Sequence, residues 1–148
     1  MQFRFLFLWL IFLFSSCFLV KDYKQKQFTY TTDGRAVHLP MVVPKGYVKE
    51  EKKDTAGITL QSFTYPGGAL LYAAYLTDTT FEIQPFDTAL HQPQIHRLGG
   101  WVYKGQNEDD LFYREIRQGH LRFGYRLVPQ SKELAFDSAT NYLSLQKK

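Results

Sequence analysis

Between Gly99 and Val128 the chain reads WVYK, a polar loop GQNEDD, LFYREIR, a turn at Gln118-Gly119-His120, and LRFGYRLV. Three runs rich in aromatic and β-branched residues, at hairpin spacing, predict an antiparallel meander. In the last run Leu121, Phe123, Tyr125 and Leu127 alternate with Arg122, Gly124 and Arg126. Successive side chains of a strand point to opposite faces, so the large apolar groups define a core side and the arginines a second face. A sheet with one face to bury needs something laid against it.

The rest of the chain supplies more strands and one cover. FTYT, Asp33-Gly34 and RAVHL form a predicted hairpin, because both turn residues tolerate the positive φ of a tight reversal. Pro40 and Pro44 bracket MVV, and KGYVKEEKKDTAG is so charged that it reads as a solvated loop or short helix. ITLQSFTY and ALLYAAYLT flank Pro66-Gly67-Gly68 as a second hairpin. In its second arm Leu70 and Tyr72 share one face while Leu71, Ala73 and Tyr75 share the other, which predicts a central strand covered on both sides. Residues 78–98 contain Pro85 and Pro93 and are long for a connection, so part of that stretch is expected to be helical or functional. After Pro129, SKELAFDSATNYLSLQ sets Ala135, Phe136, Ala139, Tyr142 and Leu143 at helical spacing, with Ser131 or Asp137 as N-cap.

Strands first and a helix last predict an α+β fold, a mainly antiparallel sheet of about six to seven strands covered by a C-terminal helix. This order of elements is similar to that of small exported domains of the Mog1/PsbP type. The resemblance implies a fold and carries no activity with it.

The N-terminus is a different kind of sequence. Arg4 is the single charge in the first twenty residues, LFLWLIFLF fills positions 6–14, and Ser15, Ser16 and Cys17 follow. A short basic start, an apolar stretch shorter than a bilayer span and small residues at its end are the pattern of an export signal. The run FSSC, Phe14 to Cys17, resembles the lipobox of bacterial lipoproteins, with Phe14 in the place of the commoner Leu. That resemblance implies that Cys17 is acylated on sulfur and becomes the mature N-terminus. Two other outcomes stay open: cleavage after Cys17 to give a soluble exported protein, or retention of the segment as an anchor. The expected division is a signal at 1–17, a tether at 18–27 and one α+β domain at 28–148.

Composition narrows the function. Removing Arg4 from the 18 Lys and Arg leaves 17 in the body against 14 Asp and Glu, a net charge of +3. So mild a surplus does not point to nucleic acid, which calls for basic residues clustered on one face. Cys17 is the single cysteine, so the body can have neither an internal disulfide nor a multi-cysteine zinc site. No Gly-x-Ser-x-Gly elbow and no phosphate- or dinucleotide-binding glycine loop occurs, and no catalytic residue or cofactor is assigned.

Four constellations remain as candidates. His91 and His96 are five apart, off the i, i+4 spacing of a zinc helix, so with the acidic run Glu108-Asp109-Asp110 they form a metal site only through tertiary assembly. Arg114, Arg117, Arg122 and Arg126 are candidates to line the exposed face of the meander, either as a surface for lipid headgroups or an acidic partner or, the favoured reading, as cross-strand charge pairs on a wet face that Glu115 partly neutralises. Tyr47, Tyr65, Tyr72, Tyr103 and Tyr113 are candidates for an aromatic ligand face. Cys17 is the candidate for membrane attachment. Together they favour a non-enzymatic, lipid-anchored envelope protein, against a small envelope hydrolase or metal enzyme and against a secreted ligand binder.

Overall fold

The computed structural model describes residues 22–84 and 93–144, so Cys17 and His91 lie outside the described residues. The fold is α+β. Among the described residues there are nine strands: β1 (Tyr23–Thr32), β2 (Arg35–Pro44), β3 (Lys49–Thr55), β4 (Ile58–Thr64), β5 (Leu70–Leu76), β6 (Gln94–Ile95), β7 (Trp101–Gln106), β8 (Phe112–Gln118) and β9 (Leu121–Val128). One long helix, α1 (Gln130–Ser144), follows. β1 and β2 make a separate two-stranded sheet, and the others form a seven-stranded sheet in the order β3-β4-β5-β9-β8-β7-β6. Every strand pair is antiparallel.

The β1–β2 hairpin and α1 lie side by side on one face of the large sheet, here called inner. Phe28, Leu39, Met41 and Val43 come from the hairpin, and Phe136, Ala139 and Leu143 from α1. They meet Phe63, Leu71, Ala73, Ile116, Phe123 and Tyr125 of the sheet in a single core. Burying a phenylalanine removes roughly 2–3 kcal/mol of apolar exposure, so the four phenylalanines of this core are its principal source of cohesion. β5 is an interior strand, paired with β4 and β9, and its residues 71–74 are buried.

Several local expectations change. The first strand starts at Tyr23, so residues 23–27 of the expected tether belong to β1, where Tyr23 donates to the Ala135 carbonyl of α1 at 3.3 Å. KEEKKDT becomes edge strand β3 because pairing with β4 holds it extended while its charges stay in water, except Glu50, which is half-buried against Lys26 and Gln61. α1 begins immediately after Pro129, ahead of both expected caps. Its buried stripe is Phe136, Ala139, Thr140, Leu143 and Ser144, which leaves Tyr142 at the rim.

The alternation in β9 breaks at its end. Two residues, Arg126 and Leu127, stand opposite the single Tyr113 of β8, and Leu127 takes φ 57°. The bulge turns Val128 into the core in place of Leu127. Asp33 and Gly34 have φ values of 50° and 70°, as the tight first hairpin requires.

Candidate binding face on the outer side of the sheet

No helix among the described residues covers the outer face. Strand parity assigns it Leu60, Ser62 and Thr64 from β4, Leu70, Tyr72 and Ala74 from β5, Arg122 and Arg126 from β9, and Glu115 and Arg117 from β8. Residues 77–84 leave the end of β5 and cross back over it, since Thr79 meets Arg122 and Gln84 meets the backbone at Arg114.

At the middle of this face lies a buried polar cluster. Tyr72 donates a short hydrogen bond to Glu115 Oε2, and Arg117 Nε donates to Glu115 Oε1 at 2.6 Å. Gly124 makes the first contact feasible, because it pairs with both Tyr72 and Glu115 and any Cβ there would overlap the tyrosine ring. Glu115 is 1 % exposed, and burial raises its carboxyl above the usual range despite the hydrogen bonds from Tyr72 and Arg117. Burial, then the neighbouring Glu115, pushes the Tyr72 phenol well above its ordinary value. The phenol therefore stays a donor.

The two arginines of the cluster also reach the β8–β9 turn and the crossing segment 79–84. Arg122 reaches the carbonyls of Gly119 at 2.5 Å, Leu121 at 2.9 Å and Thr79 at 3.0 Å. Arg117 pairs with Glu82 at 3.5 Å and lies 4.3 Å from the centre of the Tyr103 ring. These contacts fasten residues 79–84 to the sheet, and a groove of about 430 Å³ opens beside them. Its walls are Leu60, Leu70 and Ile83, and its polar lining includes Ser62, Gln84 and Arg126, with Tyr72 at the floor. That volume and mixture suit a small ligand or an extended side chain of a partner.

The expected four-arginine surface does not form. Arg114 is on the inner face, where it donates to Thr140 Oγ1 and Asn141 Oδ1 at 2.8 Å each and so pins α1 to β8. Arg122 is buried and Arg117 half-buried, both with internal partners, while Arg126 alone of the four is exposed. The tyrosines disperse as well. Tyr47 and Tyr65 pack edge-on against Phe63 and Phe136 in the inner layer, away from Tyr72 and Tyr103.

His96 is buried between the β6–β7 turn and the end of α1. Its Nδ1 accepts from Gln118 Nε2 at 3.2 Å and from the Leu98 amide at 3.3 Å, which leaves Nε2 to donate to Ser144 Oγ at 3.2 Å. Burial, then Arg114 and Arg97, lowers its pKa. Both ring nitrogens are committed to packing. His38 bonds Thr29 at 2.9 Å and His120 the Leu76 carbonyl at 2.7 Å, and the acidic run 108–110 is a solvent-exposed tip organised by Asn107. Among the described residues no three His, Cys, Asp or Glu side chains are placed to hold a metal ion.

Compared with protein-family models, with curated proteins and with solved structures, the chain matches none of them. The functional reading therefore rests on its own residues. Sequence reasoning missed the Tyr72–Glu115 pair, although a glycine flanked by Phe123 and Tyr125 in a strand was a usable signal of close approach.

Proposed function

We propose that this protein is a lipoprotein of a bacterial cell envelope, anchored through acylated Cys17, with a non-enzymatic binding or assembly role carried by the outer face of its sheet. The observation that carries the reading is the join of an export-type apolar run to Ser15-Ser16-Cys17, followed after five residues by the folded body at Tyr23. Acyl chains would supply membrane affinity that a net charge of +3 cannot. The groove supports the binding role, since Tyr72 at its floor is held in place by its hydrogen bond to Glu115, which Arg117 in turn fixes, an arrangement suited to holding shape against a ligand.

The test is replacement of the sulfur. Wild-type protein expressed with labelled fatty acid is expected to carry the label and to sediment with membranes. Cys17→Ser is expected to lose both. Label and membrane association that survive the substitution would refute the proposal.

A further inference from the structure

The body has two ends, and the chain enters at one of them. Tyr23 begins β1 beside Pro44, the last residue of β2, and the Asp22 carbonyl accepts from the Lys45 amide at 2.9 Å. The same end contains the β2–β3 connection, the Pro66–Gly68 turn, the end of β9 and the first turns of α1. The tips at Asp33-Gly34, Ala56-Gly57 and Gly119-His120 are at the other end.

We infer that the end at Tyr23 lies directly on the bilayer surface, with Val48 and Leu134 entering the headgroup region and Lys24, Lys45 and Lys132 against lipid phosphates. This rests on the reading of Cys17 as the lipid attachment point. Six residue steps separate Cys17 from Tyr23, which span about 20 Å at full extension. β1 runs nine residue steps from Tyr23 to Thr32, about 30 Å, so this tether is too short to let the tip at Asp33-Gly34 face the surface with the Tyr23 end turned away from it.

The side chains at the near end fit such a contact. Val48 is 71 % and Leu134 80 % exposed, each a large apolar group standing in water without local cover. Lys24, which lies over the Tyr47 ring, Lys45 and Lys132 are exposed at the same end. Long lysine stems accommodate an apolar layer beneath and an anionic layer above. The carboxylates of Glu108, Asp109 and Asp110 occupy the β7–β8 side of the same end, so repulsion from anionic lipid would tilt that side away and press the Tyr23 side down. A second exposed apolar group, Ile95, Leu98 and Trp101, sits at the β6–β7 corner towards the opposite end, and an upright posture points it away from the membrane.

Acylation consumes the single native thiol, so a cysteine introduced elsewhere can be labelled alone. Mature acylated protein bearing an environment-sensitive fluorophore at Val48→Cys, Leu134→Cys or Ala56→Cys would be placed on vesicles of phosphatidylethanolamine and phosphatidylglycerol. The expected result is a blue-shifted emission and loss of access to an aqueous quencher at 48 and 134, with water-like emission at 56. Replacing Lys24, Lys45 and Lys132 by Gln should weaken the effect on anionic vesicles and leave it unchanged on vesicles of phosphatidylcholine alone. Water-like emission at 48 and 134 on a protein that carries its fatty acid would overturn the inference and leave the anchor standing. Protection in native membranes but not on pure lipid would also overturn it, assigning this end to a protein. Absence of fatty acid from Cys17 would remove the anchor, and this inference with it.

Discussion

Tyr72 lies across Gly124 on the neighbouring strand, and the space that a Cβ would fill at position 124 is occupied by the tyrosine ring, its hydroxyl and the Arg114 carbonyl. Gly124→Ala should therefore destabilise the fold by about 1–3 kcal/mol, the usual cost of overpacking a closed site. Urea denaturation would measure it. In the double variant with Tyr72→Ala the penalties should sum to more than the measured loss, because removing the ring relieves part of the clash. Strict additivity would mean that the added methyl group does not meet Tyr72.

Glu115 gives the fold a pH dependence of unusual sign. Its folded carboxyl is raised above the ordinary value of 4.5, so the folded state holds the proton more tightly than the unfolded chain. The associated stability is complete below the unfolded pKa and is lost as pH rises through the folded one. Relative to Glu115→Gln, wild type should lose stability as pH increases just above 4.5. A difference curve that is flat or rising across that window would contradict the assignment.

His96 acts in the opposite direction. Its pKa is lowered from 6.5, so its contribution is present above 6.5 and is lost as pH falls through the folded value. Protonation would place a hydrogen on Nδ1, which already accepts from Gln118 and the Leu98 amide. Urea midpoints of wild type should decline on acidification below 6.5 more steeply than those of His96→Asn, and NMR titration of the imidazole should give a pKa under that value.

The arginines should separate by face. Arg114→Met removes charged hydrogen bonds to Thr140 and Asn141 and should cost about 2–3 kcal/mol, loosening α1 from β8. Arg126→Ala, on an exposed position, should change stability by no more than about 0.5 kcal/mol. Thermal unfolding of the two variants would compare them directly, and equal losses would contradict this placement.

Much of the fold was legible because the signals were local. The Asp33-Gly34 turn, the two-sided β5 and the alternation from Leu121 to Tyr125 each follow from geometry within a few residues. The charged β3 was not legible, since its extended state comes from pairing with β4 and not from any preference of KEEKKDT. Two features of the candidate site depended on parity. Arg114 and Arg117 are three apart, and in a strand that spacing places them on opposite faces, so one arginine surface could never have included both. The bulge at Arg126-Leu127 shifts the register once more and cannot be read from alternation alone.

The seven-stranded sheet ends, on one side, in a strand where Lys49, Glu50, Glu51, Lys52, Lys53 and Asp54 follow without interruption. A neighbouring molecule seeking to add a strand there would have to order and partly dehydrate the five of these charges that are exposed for one short ladder of hydrogen bonds. Copies of this protein held side by side would thus remain separate on that flank, and lateral growth of the sheet from molecule to molecule is closed off by chemistry carried within a single strand.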